Sequence, residues 1–347
     1  MSEGKMESKK KRGGAVFLIV VLAVAFLAVA FAVLKGLGVV KFGPSLPHRI
    51  ERARPSNFDF KNIKLGKFGS SGKYVARLYI TGVIQEANET YNQEWLLDTI
   101  EDLESDEDNV GIMLVIDSPG GTVYEADEIY LALRKYKNAG KSIWAYFKSM
   151  AASGAYYISC AADTVYANRN TLTGSIGVIM GPTFDATGLL EKLGVKATSF
   201  VSGRNKGMLG FDNPVTEEQA QIMQSIIDEC YEQFVSIVSQ GRKKSLTEVR
   251  VLADGRIYTA NQAKENGLID GVGSLENAED RMKERLAIST SLSKEDAENL
   301  EFYDYEYFYN PPFMRRVFDS IAGDSVRKAI DQSVGLLIQY PAYLYRQ

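Results

Sequence analysis

The chain has 347 residues, of which 45% are hydrophobic, and a net charge of -4; that much apolar content buries a real core and excludes disorder throughout. The acidic balance, with no basic stripe interleaved with aromatics, sets nucleic-acid binding aside. The two cysteines, Cys160 and Cys230, belong to no CxxC or Cys/His cluster, so no metal or cofactor site is expected and both read as buried free thiols.

The N-terminus carries Lys5, Lys9, Lys10, Lys11 and Arg12, followed by an uncharged run from Gly13 to Leu34. As a helix, Ala15 to Leu34 is about 30 Å long, enough to span a bilayer. Positive residues favour the cytoplasmic side, which sends the rest of the chain across the membrane. The alternative is a cleaved signal peptide, since Ala-x-Ala patterns occur in the run, but the apolar stretch continues past them with no polar region. The expected organisation is a cytoplasmic tail over 1–14, a single transmembrane anchor over 15–34 and a Gly- and Pro-containing juxtamembrane linker over 35–72. The location expected is the plasma membrane, with the bulk of the chain extracytoplasmic.

Regular structure is expected from Lys73. Tyr74–Ile84 and Val110–Ile116 are rich in β-branched and apolar residues, as buried strands are. Helical spacing separates them over Asn92–Leu103 and recurs over Tyr124–Tyr136. A strand over Ser142–Phe147 and a helix over Ala152–Ala161 continue the βαβα alternation, which predicts parallel strands with helices on their faces. Ala197–Val201 is strand-like. A long helix should start near Thr216, which has capping-box spacing to Gln219, with Ile222, Met223, Ile226, Ile227, Cys230, Phe234 and Val238 as a core-facing stripe.

Two loops carry candidate chemistry. In Ser149-Met-Ala-Ala-Ser-Gly-Ala-Tyr-Tyr157, Ser153 stands among small residues at a helix start, where a nucleophile can be presented. In Asp117-Ser-Pro-Gly-Gly121 a buried strand hands over to a helix, and two glycines permit a turn with amides aimed into a cleft, as an oxyanion hole requires. The chain's one histidine is His48, just beyond the apolar segment, so the base for Ser153 is expected to be something else. A neutral lysine can serve, and Lys206, between glycines and small residues in Ser202-Gly-Arg-Asn-Lys-Gly207, is the candidate.

These pieces, together with Leu172-Thr-Gly-Ser-Ile-Gly-Val178, Asp254-Gly-Arg-Ile-Tyr258, Ala263 and Gly267-Leu-Ile-Asp270, resemble in kind and order the signal peptide peptidase A family of Ser-Lys proteases, in its short, single-repeat form. The resemblance covers Lys73 to Arg285. It implies a ClpP/crotonase-like α/β spiral, with Ser153 as nucleophile and Lys206 as general base. The amide of Gly120, helped by Gly121 or Gly154, would form the oxyanion hole, and Ser175 would hydrogen-bond the lysine amine. Gly207 departs from the acidic residue common after that lysine. Also implied are signal peptides and other membrane-associated peptides as substrates, and a homo-oligomeric ring whose neighbouring protomers share each dyad.

Beyond a protease domain at 73–285, residues 286–347 form an aromatic-rich extension. Phe302–Tyr309 has six aromatics in eight positions and reads as an edge strand. The last segment, around Tyr340–Tyr345, is aromatic and extended enough to lie in the substrate groove as a self-ligand. The other function classes are an inactive protease-like membrane scaffold and a crotonase-type acyl-CoA enzyme, which also relies on glycine amides for an oxyanion hole.

Overall fold

The computed structural model describes residues 72–289, Asp296, residues 299–309 and the backbone of 342–344. The basic tail, the anchor over 15–34 and nearly all of the 35–72 linker lie outside the described residues. Among the described residues no helix is long and apolar enough to cross a membrane.

The centre is a mostly parallel sheet ordered β7-β6-β4-β2-β1-β9, with β5 and β8 branching from β4. Its strands are β1 (Tyr74–Thr81), β2 (Asn109–Ser118), β4 (Ser142–Ala152), β5 (Thr164–Ala167), β6 (Leu172–Gly174), β7 (Ile257–Thr259), β8 (Gly271–Val272) and β9 (Glu301–Tyr305). The expected edge strand in the aromatic run is β9, parallel to β1. Along β1, Ala76, Leu78 and Ile80 join one core while Val75 joins another on the opposite face. A strand buried on both faces reads as a continuous apolar run, which is why β1 and β2 were recognisable from composition.

Helices cover both faces. On one lie α1 (Gln93–Ser105), α2 (Val123–Asn138) and α3 (Gly154–Ser159); on the other, α8 (Leu275–Ser289) sets Ala278, Met282 and Leu286 against Met113, Val115 and Trp144. Helix α1 starts at Asn92, whose side chain accepts the Trp95 amide. Helix α5 (Glu217–Arg242) starts at the expected Thr216–Gln219 capping box. The rest of the periphery comprises α4 (Thr187–Lys192), α6 (Leu246–Leu252) and α7 (Ala260–Glu265).

Three expectations are corrected. The strand from Ser142 does not stop at Phe147 but reaches Ala152, so the next helix begins at Gly154 rather than Ala152. It is prolonged because its second half finds a partner in β6, pairing Met150–Ala152 with Leu172–Gly174. Ala197–Val201 forms no strand; it is exposed throughout. The stripe of α5 is core only toward its C-terminal half: Phe234, Val235, Ile237 and Val238 are buried, whereas Ile222, Met223, Ile226, Ile227 and Cys230 are half-buried or exposed. Cys160 is a buried thiol, and Cys230, likewise outside any disulfide, is only half-buried.

Candidate active site

Strand β4 delivers Ser153. Between the register pairs Ile116–Phe147 and Ser118–Ala151, β2 contributes one residue, Asp117, and β4 three, Lys148, Ser149 and Met150. This bulge needs something to fill it, and the Asp117 carboxylate does so, accepting the Ser149 hydroxyl and, at 3.2 Å, the Met150 amide. Bulges re-aim the strand that carries them; here the re-aimed strand ends at the candidate nucleophile. Asp117 was read only as the start of a glycine turn, and the signal for its larger role was the Ser149 hydroxyl four residues before Ser153.

Ser153 sits at φ 55, ψ -119, a region that a residue with a Cβ enters at a cost of about 1–3 kcal/mol. It is the residue before α3, yet its side chain makes no cap bond. Thr216, Ser245 and Thr259, in ordinary extended geometry, each accept the backbone amide three residues on. The Ser153 backbone turns its hydroxyl away from the helix, and Oγ is buried with no hydrogen-bond partner. An orphaned buried hydroxyl costs about 1–3 kcal/mol, so the position combines two unfavourable features in one residue. The Ser153 amide donates to the Gly174 carbonyl at 2.8 Å, and its carbonyl accepts the Tyr157 amide.

Ser175 follows Gly174 on the neighbouring strand, also at positive φ (50°) and nearly buried. Because Ala152 and Gly174 are register partners, the two serines leave adjacent strand ends side by side. The Asp254–Tyr258 motif supports Ser175: the Arg256 carbonyl accepts the Ser175 amide and the Gly255 amide donates to Ile176. Arg256 grips Asp254 through its side chain, and that hydrogen bonding holds the Asp254 carboxyl down to about 2. The Gly267–Asp270 motif is architectural: the Asp270 carboxylate takes the Val165 amide and a two-pronged contact from Arg242, at 3.0 and 2.8 Å.

Past β2 the chain continues as β3 (Gly120–Thr122), which lies against α3, the helix that follows Ser153. The Gly120 amide donates to the Ser118 hydroxyl at 3.1 Å. The Ile84 amide donates to the Gly120 carbonyl and the Thr122 amide to the Ile84 carbonyl, so the N–H and C=O of Gly121 face the other edge of β3. A Cβ on Gly121 would lie 1.7 Å from the Ile84 carbonyl oxygen, which makes glycine obligatory there. The edge that Gly121 faces is taken by β10 (Ala342–Leu344), which pairs antiparallel with Tyr343 opposite Gly121 and Leu344 opposite Gly120.

Lys206 is exposed in a non-helical loop whose backbone turns on its own amide bonded to Gly203. Since Ser153 Oγ has no partner, one copy of the chain brings Ser153, Ser175 and the glycine loop together but leaves Lys206 apart from the serine. The next residue, Gly207, would meet only Val201 Cγ1, at 3.9 Å, if it carried a Cβ. Among the described residues no group of His, Cys, Asp and Glu is arranged to hold a metal ion.

Residues 135–289 match the model of peptidase family S49. The chain is 39% identical over 222 residues to a putative signal peptide peptidase SppA of Enterococcus faecium, covering 62% of this chain and 64% of that one. It is 35% identical over 269 residues to a putative protease of Synechocystis sp., covering 77% and 90%. Similarity to protease 4 of Salmonella typhi is 30% over 274 residues, which is 78% of this chain and 42% of that longer protein.

Proposed function

Since the chain belongs to peptidase family S49, we propose that it is a membrane-anchored serine endopeptidase with Ser153 as nucleophile and Lys206 as general base. The observation that carries this reading is the Ser153 hydroxyl, buried, unpartnered and held at a left-handed backbone position. A merely structural serine before a helix would cap it, as Ser245 does. Neutral Lys206 takes the hydroxyl proton, Ser153 attacks the peptide carbonyl, and the same amine returns the proton to the leaving nitrogen. Water then releases the acyl group by the reverse route. Backbone amides from the Gly120–Gly121 loop and Gly154 would meet the oxyanion, which requires the Gly120 amide to exchange Ser118 for the substrate oxygen.

Lys206 serves a neighbouring copy in this reading. Residues 179–215, which include the lysine loop, expose nine large apolar side chains, among them Phe184, Leu193 and Phe200, the last 96% exposed. So much apolar surface on one segment belongs to an interface, and a ring of identical protomers would bring each Lys206 to the next Ser153, with Ser175 to hold its amine. The chain spans 64% of the Enterococcus relative whose name is putative signal peptide peptidase SppA. Signal peptides left in a bilayer are accordingly the substrate class proposed, and the apolar run over 15–34 is proposed to hold the catalytic domain beside them on the extracytoplasmic face. The fold fits a ClpP/crotonase-like spiral in which β4 pairs β5 with its first half and β6 with its second.

Hydrolysis of a fluorogenic peptide by the wild type, Ser153→Ala, Lys206→Ala and an equal mixture of the two variants tests the reading. Each variant alone should be inactive, and the mixture should recover a share of the activity. Full activity in either variant would sink the dyad, and a silent mixture would return the dyad to one chain or leave a protease-like scaffold.

A further inference from the structure

A pocket of about 550 Å³ opens directly beside Ser175, with Val178, Gln224, Asp228, Tyr231 and Asp254 among its lining residues. Its two carboxylates are unequally satisfied. Asp254 is gripped by Arg256, whereas Asp228 accepts only a neutral amide hydrogen bond, from Gln224 at 2.7 Å, and forms no ion pair with any described residue. The wall behind it is the first half of α5, where Ile227 lies on the half-buried part of the apolar stripe. A recess with an unpaired acid, an uncovered apolar wall and a serine neighbouring the nucleophile calls for a basic, partly apolar occupant.

The chain itself carries one. The loop Ser202-Gly-Arg-Asn-Lys206 presents two exposed cations, Arg204 and Lys206, within the apolar segment 179–215. In its own copy Arg204 is 81% exposed and pairs with Glu218 at 2.6 Å; exposed pairs of this kind are worth about 0–1 kcal/mol and exchange readily. We propose that the pocket is the receptor for the Arg204–Lys206 loop of a second copy of this chain, with Asp228 pairing Arg204 and so delivering Lys206 past Ser175 to Ser153. This rests on the shared dyad of the preceding section and adds to it the surface that sets assembly and register. Asp228 is then a positioning residue, which never touches substrate, and Arg204 is its partner. The attraction is strengthened as the apolar rim closes over the pair, because partial exclusion of water lowers the effective dielectric.

Charge reversal tests the pairing in the full-length chain, with assembly read by sedimentation and activity by peptide hydrolysis. Asp228→Arg alone and Arg204→Asp alone should each lose the oligomer and at least tenfold in activity. The double variant should regain both, because its loop and pocket are again complementary. Mixing the two single variants should also restore assembly, since each offers the other an opposite charge at both contacts; neither misfolding nor a general loss of stability produces that recovery. Wild-type assembly in Asp228→Arg would overturn the proposal, as would losses that neither the double variant nor the mixture repairs. If the Ser153→Ala and Lys206→Ala mixture is active while these charge variants behave as wild type, the shared dyad stands and the receptor pocket falls. A silent mixture would instead remove the reading on which the pocket rests.

Discussion

The Ser153 amide donates to the Gly174 carbonyl at 2.8 Å, tying the candidate nucleophile to the residue just before Ser175. This bond explains how Ser153 persists in a backbone region that serine disfavours. The β4–β6 pairing ends at Ala152–Gly174, and one further hydrogen bond past that pair holds the turn while α3 anchors its other side through the Tyr157 amide. Strain on one residue is thus balanced by a ladder on one flank and a helix on the other.

That balance predicts a stability gain on removing the nucleophile. Ser153→Gly relieves the positive-φ strain and deletes the unpartnered hydroxyl, so unfolding free energy should rise by about 1–2 kcal/mol while peptidase activity disappears. Chemical denaturation of the two proteins checks it. A less stable glycine variant would show that the left-handed position carries no stored cost.

Glycine at 121 is required by contact, not by φ. Gly121→Ala forces a Cβ onto the Ile84 carbonyl, so β3 must move; a destabilisation of about 1–3 kcal/mol, with activity lost even where the fold survives, is expected. Gly188 in α4 is the control, since a Cβ there meets nothing within 4 Å and alanine favours a helix. Gly188→Ala should hold or slightly raise the melting temperature and leave activity unchanged. Equal behaviour of the two variants would refute the contact argument.

What was legible in the sequence was local. Asn92 and Thr216 announced helix starts that their cap bonds realise, and the apolar runs of β1 and β2 announced buried strands. Relations set by tertiary pairing were not. Nothing local says that Met150–Ala152 will find Leu172–Gly174 and prolong β4, or that Asp117 will fill the bulge. The α5 stripe shows the converse: periodicity marked Ile222 to Val238 as one apolar face, but a stripe cannot tell a core from an interface, and only its far end is buried within one copy. Ser153, Ser175 and the glycine loop could be brought together by one chain's fold. Lys206 was legible as a residue type in a motif, but nothing local says which group its amine meets.

Asp117 should act on catalysis through geometry. Asp117→Ala leaves the Ser149 hydroxyl and the Met150 amide without their acceptor, loosening the strand four residues before Ser153. A fall in kcat of roughly ten- to a hundredfold is expected from sub-ångström to 1 Å misplacement, with KM little changed. Asp117→Asn keeps an acceptor oxygen and should recover most of the loss. If asparagine were as damaging as alanine, the charge and not the bracing would be what matters.

Alkaline conditions should destabilise the domain through Cys160. Burial pushes its thiol from 9.0 up to about 12, so the fold favours the protonated form. With the folded value above the unfolded one, the contribution is fully present below pH 9 and is lost as pH rises toward 12. Cys160→Ala should therefore show a shallower decline in stability over pH 9–12 than the wild type, measured by denaturant titration at each pH. Buried tyrosines such as Tyr156, also raised by desolvation, keep some decline in both proteins. Identical slopes would mean that Cys160 titrates alike in the folded and unfolded chain.

The strand β10 predicts self-restraint. It occupies the edge of β3 toward which the N–H and C=O of Gly121 point, with Tyr343 opposite Gly121, and an extended substrate adding to the same edge must displace it. Apparent affinity scales with the fraction of open grooves, so a tail seated with about 1.4 kcal/mol of net stability raises KM about tenfold. Removing Ser333 to Gln347 should lower KM with kcat unchanged, because the reacting groups are untouched. Tyr343→Pro separates pairing from mere tail length: it deletes one backbone donor at the centre of the three-residue strand and should reproduce most of the truncation's effect. A synthetic peptide spanning the deleted residues should then inhibit the truncated enzyme competitively. Unchanged kinetics in both variants would mean that substrate docks elsewhere than on β3, and the groove itself would have to be reassigned.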